Sequence, residues 1–364
     1  MSIVWRDSGQ SVSNYDASAH LSFDDHAHVD MRRDPETGLH SIIAVHDTTL
    51  GPALGGCRMW PYASEAEALD DVLRLSRGMT YKNALADLPL GGGKAVIIAD
   101  PKTDKSPALM EAFARHVESL GGLYITAEDV GISDTDMEIV ARRTAHVRGI
   151  RATGLGDPSP FTAWGVFCAL RAALRFATGA ASLSGLTVAV QGLGHVGGRV
   201  ATLAHADGAR LIVADIDEER VAEIVARTGA RVVPVDQIHA VEADVYAPCA
   251  LGGGLNAATI PDIRAEVVCG AANNQLRTPA DGASLLTRGI LYAPDYVANA
   301  GGVISIAPDR PGMSAEDMKA RISRIGDTLT MIFARARADG VGPEVIADRM
   351  AEERIAAAKR NISA

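Results

Sequence analysis

Leu186-Thr187-Val188-Ala189-Val190-Gln191 runs into Gly192-Leu193-Gly194-His195-Val196-Gly197-Gly198, and Arg210-Leu211-Ile212-Val213-Ala214 follows, ending at Asp215. The first run is a buried-strand pattern. The glycines have the spacing G-x-G-x-x-G and open a helix, and the acid ending the next strand stands 23 positions after Gly192. Strand, glycine turn, helix, strand and acid form one dinucleotide-binding unit. Gly192 allows the tight turn, Gly194 lets the backbone approach a pyrophosphate, and Gly197 allows the helix to pack on the strand. The helix start, with Leu193, His195 and Val196 in the turn, presents N–H groups to the phosphates. Asp215 would accept from a ribose 2′-OH and repel a 2′-phosphate, so NAD is expected over NADP. Arg220 works against that preference. His195 reads as a solvent-facing loop residue within the cofactor turn. A glycine-rich turn without ligand is the alternative, but it explains neither the flanking strands nor the acid.

Outward from this unit, strands and helices alternate from His40. Upstream, Gly154-Leu155-Gly156-Asp157-Pro158-Ser159-Pro160 reads as a hinge. A helix is predicted from about Phe161 to Ala177. From Ser314 two long helices are predicted, broken near Gly340 to Pro343. In the first half, Ser41–His46 and Leu123–Thr126 read as strands. Ser64-Glu65-Ala66-Glu67 reads as a capping box opening a helix to about Ala86. Ser106-Pro107 starts another helix, which Gly121-Gly122 ends. The pattern predicts an α/β protein of two domains around a cleft: an N-terminal domain with a mixed sheet, and a Rossmann-type NAD-binding domain. The boundaries expected are 1–148 and 149–334, followed by the C-terminal helices of about 335–364.

Two lysines mark the first domain. Leu75, Met79 and Lys82 fall on one face of the predicted helix, so Lys82 projects from an apolar side. Lys94 follows Gly91-Gly92-Gly93 and precedes the predicted strand Ala95–Ala99. Three glycines suit close backbone approach. A neighbouring cation favours the neutral form of a lysine, which can then act as a base. Solvated surface lysines are the bland alternative. Asp129 lies just beyond the carboxyl end of a predicted strand, where ligand sites of α/β sheets are found. Capping the next helix is its alternative role.

The totals narrow the function. The chain has 364 residues, 47% hydrophobic and 22% charged, and a net charge of -10. That composition is globular, and the charge disfavours nucleic acid or an anionic membrane as partner. No apolar run has the length of a membrane span, and the N-terminus lacks a signal-peptide pattern. Cys57, Cys168, Cys249 and Cys269 form no CxxC pair, so no metal site is expected, and they read as reduced thiols of a cytoplasmic protein.

Seven segments then carry a resemblance: Gly51-Pro52-Ala53-Leu54-Gly55-Gly56, Met79-Thr80-Tyr81-Lys82-Asn83, Gly91-Gly92-Gly93-Lys94, Ile125-Thr126-Ala127-Glu128-Asp129-Val130-Gly131, Tyr246-Ala247-Pro248-Cys249-Ala250-Leu251-Gly252, Gly270-Ala271-Ala272-Asn273-Asn274-Gln275 and Tyr292-Ala293-Pro294-Asp295-Tyr296. Over about residues 40–355 the chain resembles the glutamate, leucine, phenylalanine and valine dehydrogenase family, most of all its leucine and valine branch. The resemblance implies that Lys82 binds the substrate carboxylate, Lys94 is the catalytic lysine, and Asp129 shuttles protons at the substrate nitrogen. It implies that Asn273 lies near nicotinamide and substrate and that Thr162 holds the nicotinamide carboxamide. Asn274 and Asn299 lie in matching motifs. It also implies that the C-terminal helices of about 335–364 pack back on the first domain, and a homo-oligomer, dimer or octamer.

Specificity rests on other positions. Glutamate dehydrogenases carry a lysine where this chain has Leu54, so a substrate carboxylate would be buried unpaired here. By the same matching Leu54, Ala127, Val303 and Ile306 line an aliphatic side-chain pocket, with Gly55 and Met79 beside it. Oxidative deamination of leucine, valine or isoleucine is expected. Phenylalanine is the alternative substrate, and a catalytically silent NAD- or amino-acid-binding regulator is the alternative from another class. Cys57 and Ile132 depart from the family's usual threonines without removing a catalytic group.

Overall fold

Two six-stranded sheets organise the chain, each within its own compact unit. The computed structural model describes residues 4–7, 17–150, 157–307 and 313–363. Gly154, Leu155 and Gly156 of the expected hinge therefore lie outside the described residues. Unit one comprises residues 1–157, 306–312 and 351–364, and unit two comprises 158–305 and 313–350.

Unit one contains β1 (Val4–Asp7), β2 (His28–Asp34), β3 (Leu39–Asp47), β4 (Ala53–Trp60), α1 (Glu65–Leu85), β5 (Gly91–Ile98), α2 (Pro107–Glu118), β6 (Tyr124–Glu128) and α3 (Asp134–Ala141). Its strand order is β1-β2-β3-β5-β4-β6. The sheet is mixed: β2–β3 and β3–β5 pair antiparallel, while β4 pairs parallel with β5 and β6. One face carries Ile42, Ala44 and Val96 against Leu69, Val72 and Leu73 of α1. The other carries Cys57, Met59, Ala95 and Ile97 against Met110, Phe113 and Val117 of α2 and Met137 and Val140 of α3.

Ser64 caps α1, accepting the Glu67 N–H at 3.2 Å. The reciprocal bond of a capping box goes elsewhere: Glu67 Oε2 accepts the N–H of Ala63. The three glycines before Lys94 lie inside β5, one strand with Ala95–Ile98. A Cβ on Gly92 would stand 2.0 Å from the backbone nitrogen of Thr80. Only glycine permits α1 to rest on β5 at that depth.

Unit two contains α4 (Ser159–Thr178), β7 (Thr187–Gln191), α5 (Gly197–Ala206), β8 (Arg210–Ala214), α6 (Glu218–Thr228), β9 (Arg231–Val232), β10 (Val245–Pro248), β11 (Val267–Val268), α7 (Pro279–Thr287), β12 (Leu291–Tyr292), α8 (Asp295–Ala298), α9 (Gly301–Ile306), α10 (Ala315–Ser323), α11 (Ile325–Asp339) and α12 (Pro343–Ser363). Ile306 ends α9 and is grouped with unit one, as are the α12 residues from 351 onward. All strands are parallel, in the order β12-β11-β10-β7-β8-β9. That is the doubly wound order of a Rossmann sheet, with β7 at the switch point. The C-terminal stretch forms three helices where two were expected. The extra break falls at Arg324, which carries no glycine or proline signal. The end of α12 is tied into unit one: Tyr81 Oη donates to Glu352 Oε1 at 2.8 Å, and Lys359 pairs with Asp47 at 3.2 Å.

Candidate active site

Strand register gathers the unit-one residues. Leu54, Gly56 and Arg58 alternate along β4. Leu54 pairs with Gly92, and Gly56 pairs with Ala127 on β6. Lys94 pairs with Ala44 and so lies on the face that α1 covers. Leu54, Ala127 and Lys94 thus share one face. Lys82 and Met79 sit half-buried on α1, two residues or fewer from Thr80, the residue seated on Gly92. Asn83 fixes the end of this helix, donating to Gly91 O at 2.6 Å. A Cβ on Gly55 would meet Met79 Cγ at 3.2 Å.

Lys94 and Asp129 form an ion pair, Nζ to Oδ2 at 2.6 Å, the lysine buried and the aspartate half-buried. Burial alone would raise the Asp129 carboxyl, but the charges of Lys94 and Arg58 outweigh it and hold the group down to about 2. Asp129 is therefore a carboxylate at neutral pH. It does not cap α3: Ser133 does, in a full capping box with Asp136. Lys94's neighbour at ion-pair distance is this carboxylate, whereas the sequence reading drew attention to the cation Lys82.

The same carboxylate oxygen meets a third residue. Arg58 Nε donates to Asp129 Oδ2 at 3.3 Å, and its Nη1 donates to Asp71 Oδ2 at 2.8 Å. Tyr62 Oη donates to that Asp71 oxygen at 2.6 Å. Sequence reasoning passed over Arg58, Asp71 and Tyr62. The available signal was alternation: Arg58 falls on the same strand face as Leu54 and Gly56, where a solvated arginine is out of place.

In unit two, Gly192 has φ 89° and a Cβ there would meet Ala250 N at 2.8 Å; one on Gly197 would meet Gly192 O at 2.0 Å. Leu193 is buried, Val196 half-buried and His195 exposed. Asp215 binds the turn itself: Oδ2 accepts the Leu193 N–H at 2.5 Å and Oδ1 accepts the Asp217 N–H at 2.9 Å. Each oxygen retains a lone pair for a further donor. Arg220 pairs with Asp217 at 3.0 Å. A cavity of about 450 Å³ opens beside the turn, lined by Leu193, Gly194, His195, Arg220, Trp164 and Lys319 among others.

Thr162 Oγ1 donates to Pro158 O at 3.1 Å at the start of α4. Asn273 Oδ1 accepts from Asn299 Nδ2 at 2.8 Å, and the same amide group donates to Ala271 O. Asn274, beside it, has φ 52°. Val303 is buried on α9 in unit two, and Ile306 at the end of α9 is grouped with unit one. Among the described residues no group of three or more His, Cys, Asp or Glu is placed to hold a metal.

Two family models match the chain. Residues 25–146 match the dimerisation domain of the Glu/Leu/Phe/Val dehydrogenases, and residues 211–325 match the Glutamate/Leucine/Phenylalanine/Valine dehydrogenase model. Leucine dehydrogenase of Geobacillus stearothermophilus is 52% identical over 325 residues, 89% of each chain. The chain belongs to the Glu/Leu/Phe/Val dehydrogenase family. Valine dehydrogenase of Streptomyces coelicolor is 49% identical over 339 residues, 92% of this chain and 93% of its own. The crystal structure of L-tryptophan dehydrogenase from Nostoc punctiforme superposes with a TM-score of 0.78 at 42% identity, covering 92% of this chain and 97% of that one.

This member of the Glu/Leu/Phe/Val family is an amino-acid dehydrogenase that works with a nicotinamide cofactor. The residues of unit two fit such a group. No side chain caps the N-terminus of α5. A Cβ on Gly194 would meet nothing nearer than Arg220 Nη1 at 3.5 Å. Asn299 Oδ1 is a buried acceptor with no hydrogen-bond partner among the described residues. The two departures from the family pattern are both structural: Cys57 and Ile132 lie in the core on the α2 and α3 side of the sheet, the face opposite Lys94.

Proposed function

We propose that the chain catalyses the reversible, NAD-dependent oxidative deamination of leucine, valine or isoleucine to the 2-oxo acid, ammonia and NADH. The observation that carries this is the Lys94–Asp129 pair on a sheet face shared with Leu54 and Ala127. Ionisable groups that can exchange a proton lie beside aliphatic walls, with no lysine at position 54 to receive a second carboxylate.

Lys82 binds the α-carboxylate as a fixed cation. A nicotinamide held in unit two would supply the acceptor for the hydride that leaves Cα. Lys94, as the neutral amine, draws a proton from the water that adds to the iminium carbon. Asp129 takes and returns the proton at nitrogen as ammonia leaves. Leu54, Ala127, Val303 and Ile306 contact the side chain, with Gly55 and Met79 leaving room beside them. Gly192, Leu193, Gly194, His195, Val196 and Gly197 receive the pyrophosphate, Asp215 the ribose, and Thr162 and Asn273 the nicotinamide end. Asp215 supports NAD over NADP.

The enzyme is a cytoplasmic homo-oligomer on this reading. The match of residues 25–146 to a dimerisation-domain model supports the oligomer. Four unpaired thiols support a reducing compartment, and no described helix is long and apolar enough to cross a membrane.

The test is a panel of L-amino acids with purified protein, following NADH absorbance at alkaline pH. Highest kcat/KM with leucine, valine or isoleucine and NAD is expected. Highest kcat/KM with phenylalanine or tryptophan overturns the substrate assignment, and no NADH from any amino acid overturns the activity.

A further inference from the structure

The Arg58 guanidinium occupies a place in unit one that the deamination scheme does not use. It is mostly buried, its side chain 18% exposed, and bridges two carboxylates. Asp71 of α1 anchors one end and is itself held by Tyr62. The other end meets Asp129 Oδ2, the oxygen that also contacts Lys94 Nζ. Charges alternate along the row: Asp71 negative, Arg58 positive, Asp129 negative, Lys94 positive.

That row has a chemical consequence, which rests on the deaminase reading above. Lys94 works as a base only as the neutral amine. When it becomes neutral, Asp129 keeps its charge but loses one of its two cationic neighbours, and with neither it would be a desolvated carboxylate left uncompensated, an arrangement proteins avoid. Arginine does not lose its proton in a protein, so Arg58 keeps its charge at that moment.

We infer that Arg58 is a positioning residue for this reaction: it holds the Asp129 carboxylate in place and charge-compensated while Lys94 cycles between ammonium and amine. The other groups around Asp129 do not take this part. The Val130 N–H is a neutral donor. Burial keeps the Cys57 thiol and the Tyr124 hydroxyl protonated, and Glu128 brings a further acid rather than a cation.

The test compares Arg58→Gln and Arg58→Lys with the wild-type oligomer, using kcat, both KM values and the pH profile of kcat. For Arg58→Gln, kcat is expected to fall about 100-fold, a loss typical of a misplaced proton-transfer group, with the KM for NAD within about twofold of wild type. Its rising limb of kcat should move to higher pH, because Asp129 then faces Lys94 alone and favours the ammonium. Arg58→Lys should recover at least about tenfold of the loss, as the cation returns without the two-ended fork. A kcat and pH profile unchanged in Arg58→Gln overturn the inference and leave Arg58 a tether between β4 and α1. If Arg58→Gln does not fold, Asp71→Asn decides by removing the carboxylate that anchors Arg58: a shifted rising limb with lowered kcat supports the role, and an unshifted limb with wild-type kcat overturns it. Wild-type protein inactive on every amino acid would sink the deaminase reading itself, before either variant is compared.

Discussion

The residues proposed for substrate and those proposed for cofactor are built from different materials. In unit one the work falls to side chains: Lys94, Asp129, Arg58 and Asp71 hold one another by charge across two strands and a helix. In unit two it falls to backbone: glycines bring the chain close, and Asp215 serves first to fasten the turn through two N–H groups. A charged row fails when one member is removed, because its neighbour is left buried and unpaired. A backbone cradle degrades by degrees. Substitutions in the charged row should therefore abolish chemistry, and those in the cofactor turn should tune affinity.

The sharpest challenge to that contrast is Lys94→Ala. Loss of the base should lower kcat about 10²- to 10⁴-fold, while the affinity for NAD, measured by fluorescence titration, stays within about twofold. A variant with kcat near wild type would place the chemistry elsewhere.

Acid denaturation probes the same row. Asp129 has its carboxyl held at about 2 against an ordinary 3.8. A depressed acid contributes stability that is present above the unfolded value and lost as pH falls through the folded one. The contribution is roughly 2 kcal/mol, disappearing between about pH 5 and pH 2. Urea midpoints followed across that window should fall more steeply for wild type than for Asp129→Asn. Parallel curves would show that the pair adds nothing to pH-dependent stability.

For unit two, Asp215→Ala leaves the Leu193 and Asp217 N–H groups without their acceptor. The KM for NAD should rise about tenfold, and the ratio of NADP to NAD use should rise with it, as the acid no longer repels a 2′-phosphate. Initial rates at saturating amino acid measure both, and kcat should change less than about twofold. A large loss of kcat instead would erase the contrast between the units.

The smallest effect belongs to Ser64→Ala. Losing the α1 cap should cost about 1 kcal/mol of stability and leave kcat unchanged, since Lys82 sits at the far end of the helix. A fall in kcat would mean that the whole helix, not its C-terminal turn alone, sets the lysine's position.

Much of this was legible in the sequence where a residue has one local meaning. Ser64 and Ser106 mark helix starts, and the glycine turn with Asp215 marks the nucleotide unit. Where meaning depends on a distant partner, the sequence misled. The strand expected from Ala95 begins at Gly91; the glycines carry no strand signal because glycine is a poor strand former, and the need for glycine at Gly92 shows only once Thr80 is packed against it. The polar run His28–Asp34 carries little strand signal, yet it pairs antiparallel with Leu39–Val45 of β3. Arg58 meets Asp129, a partner that lies 71 positions later in the chain.

The tie between α12 and unit one sets an order on how the protein can be made. Tyr81 and Asp47 each pair with a group of α12, Glu352 and Lys359, besides their contacts with Arg77 and Thr49. As the chain leaves the ribosome from its N-terminus, residues 158–305 are available before those partners exist. Unit two can thus reach most of its structure while unit one, synthesised first, still waits for its last helix. A chain stalled or clipped before residue 352 would carry the nucleotide fold but lack the brace behind the helix that bears Lys82.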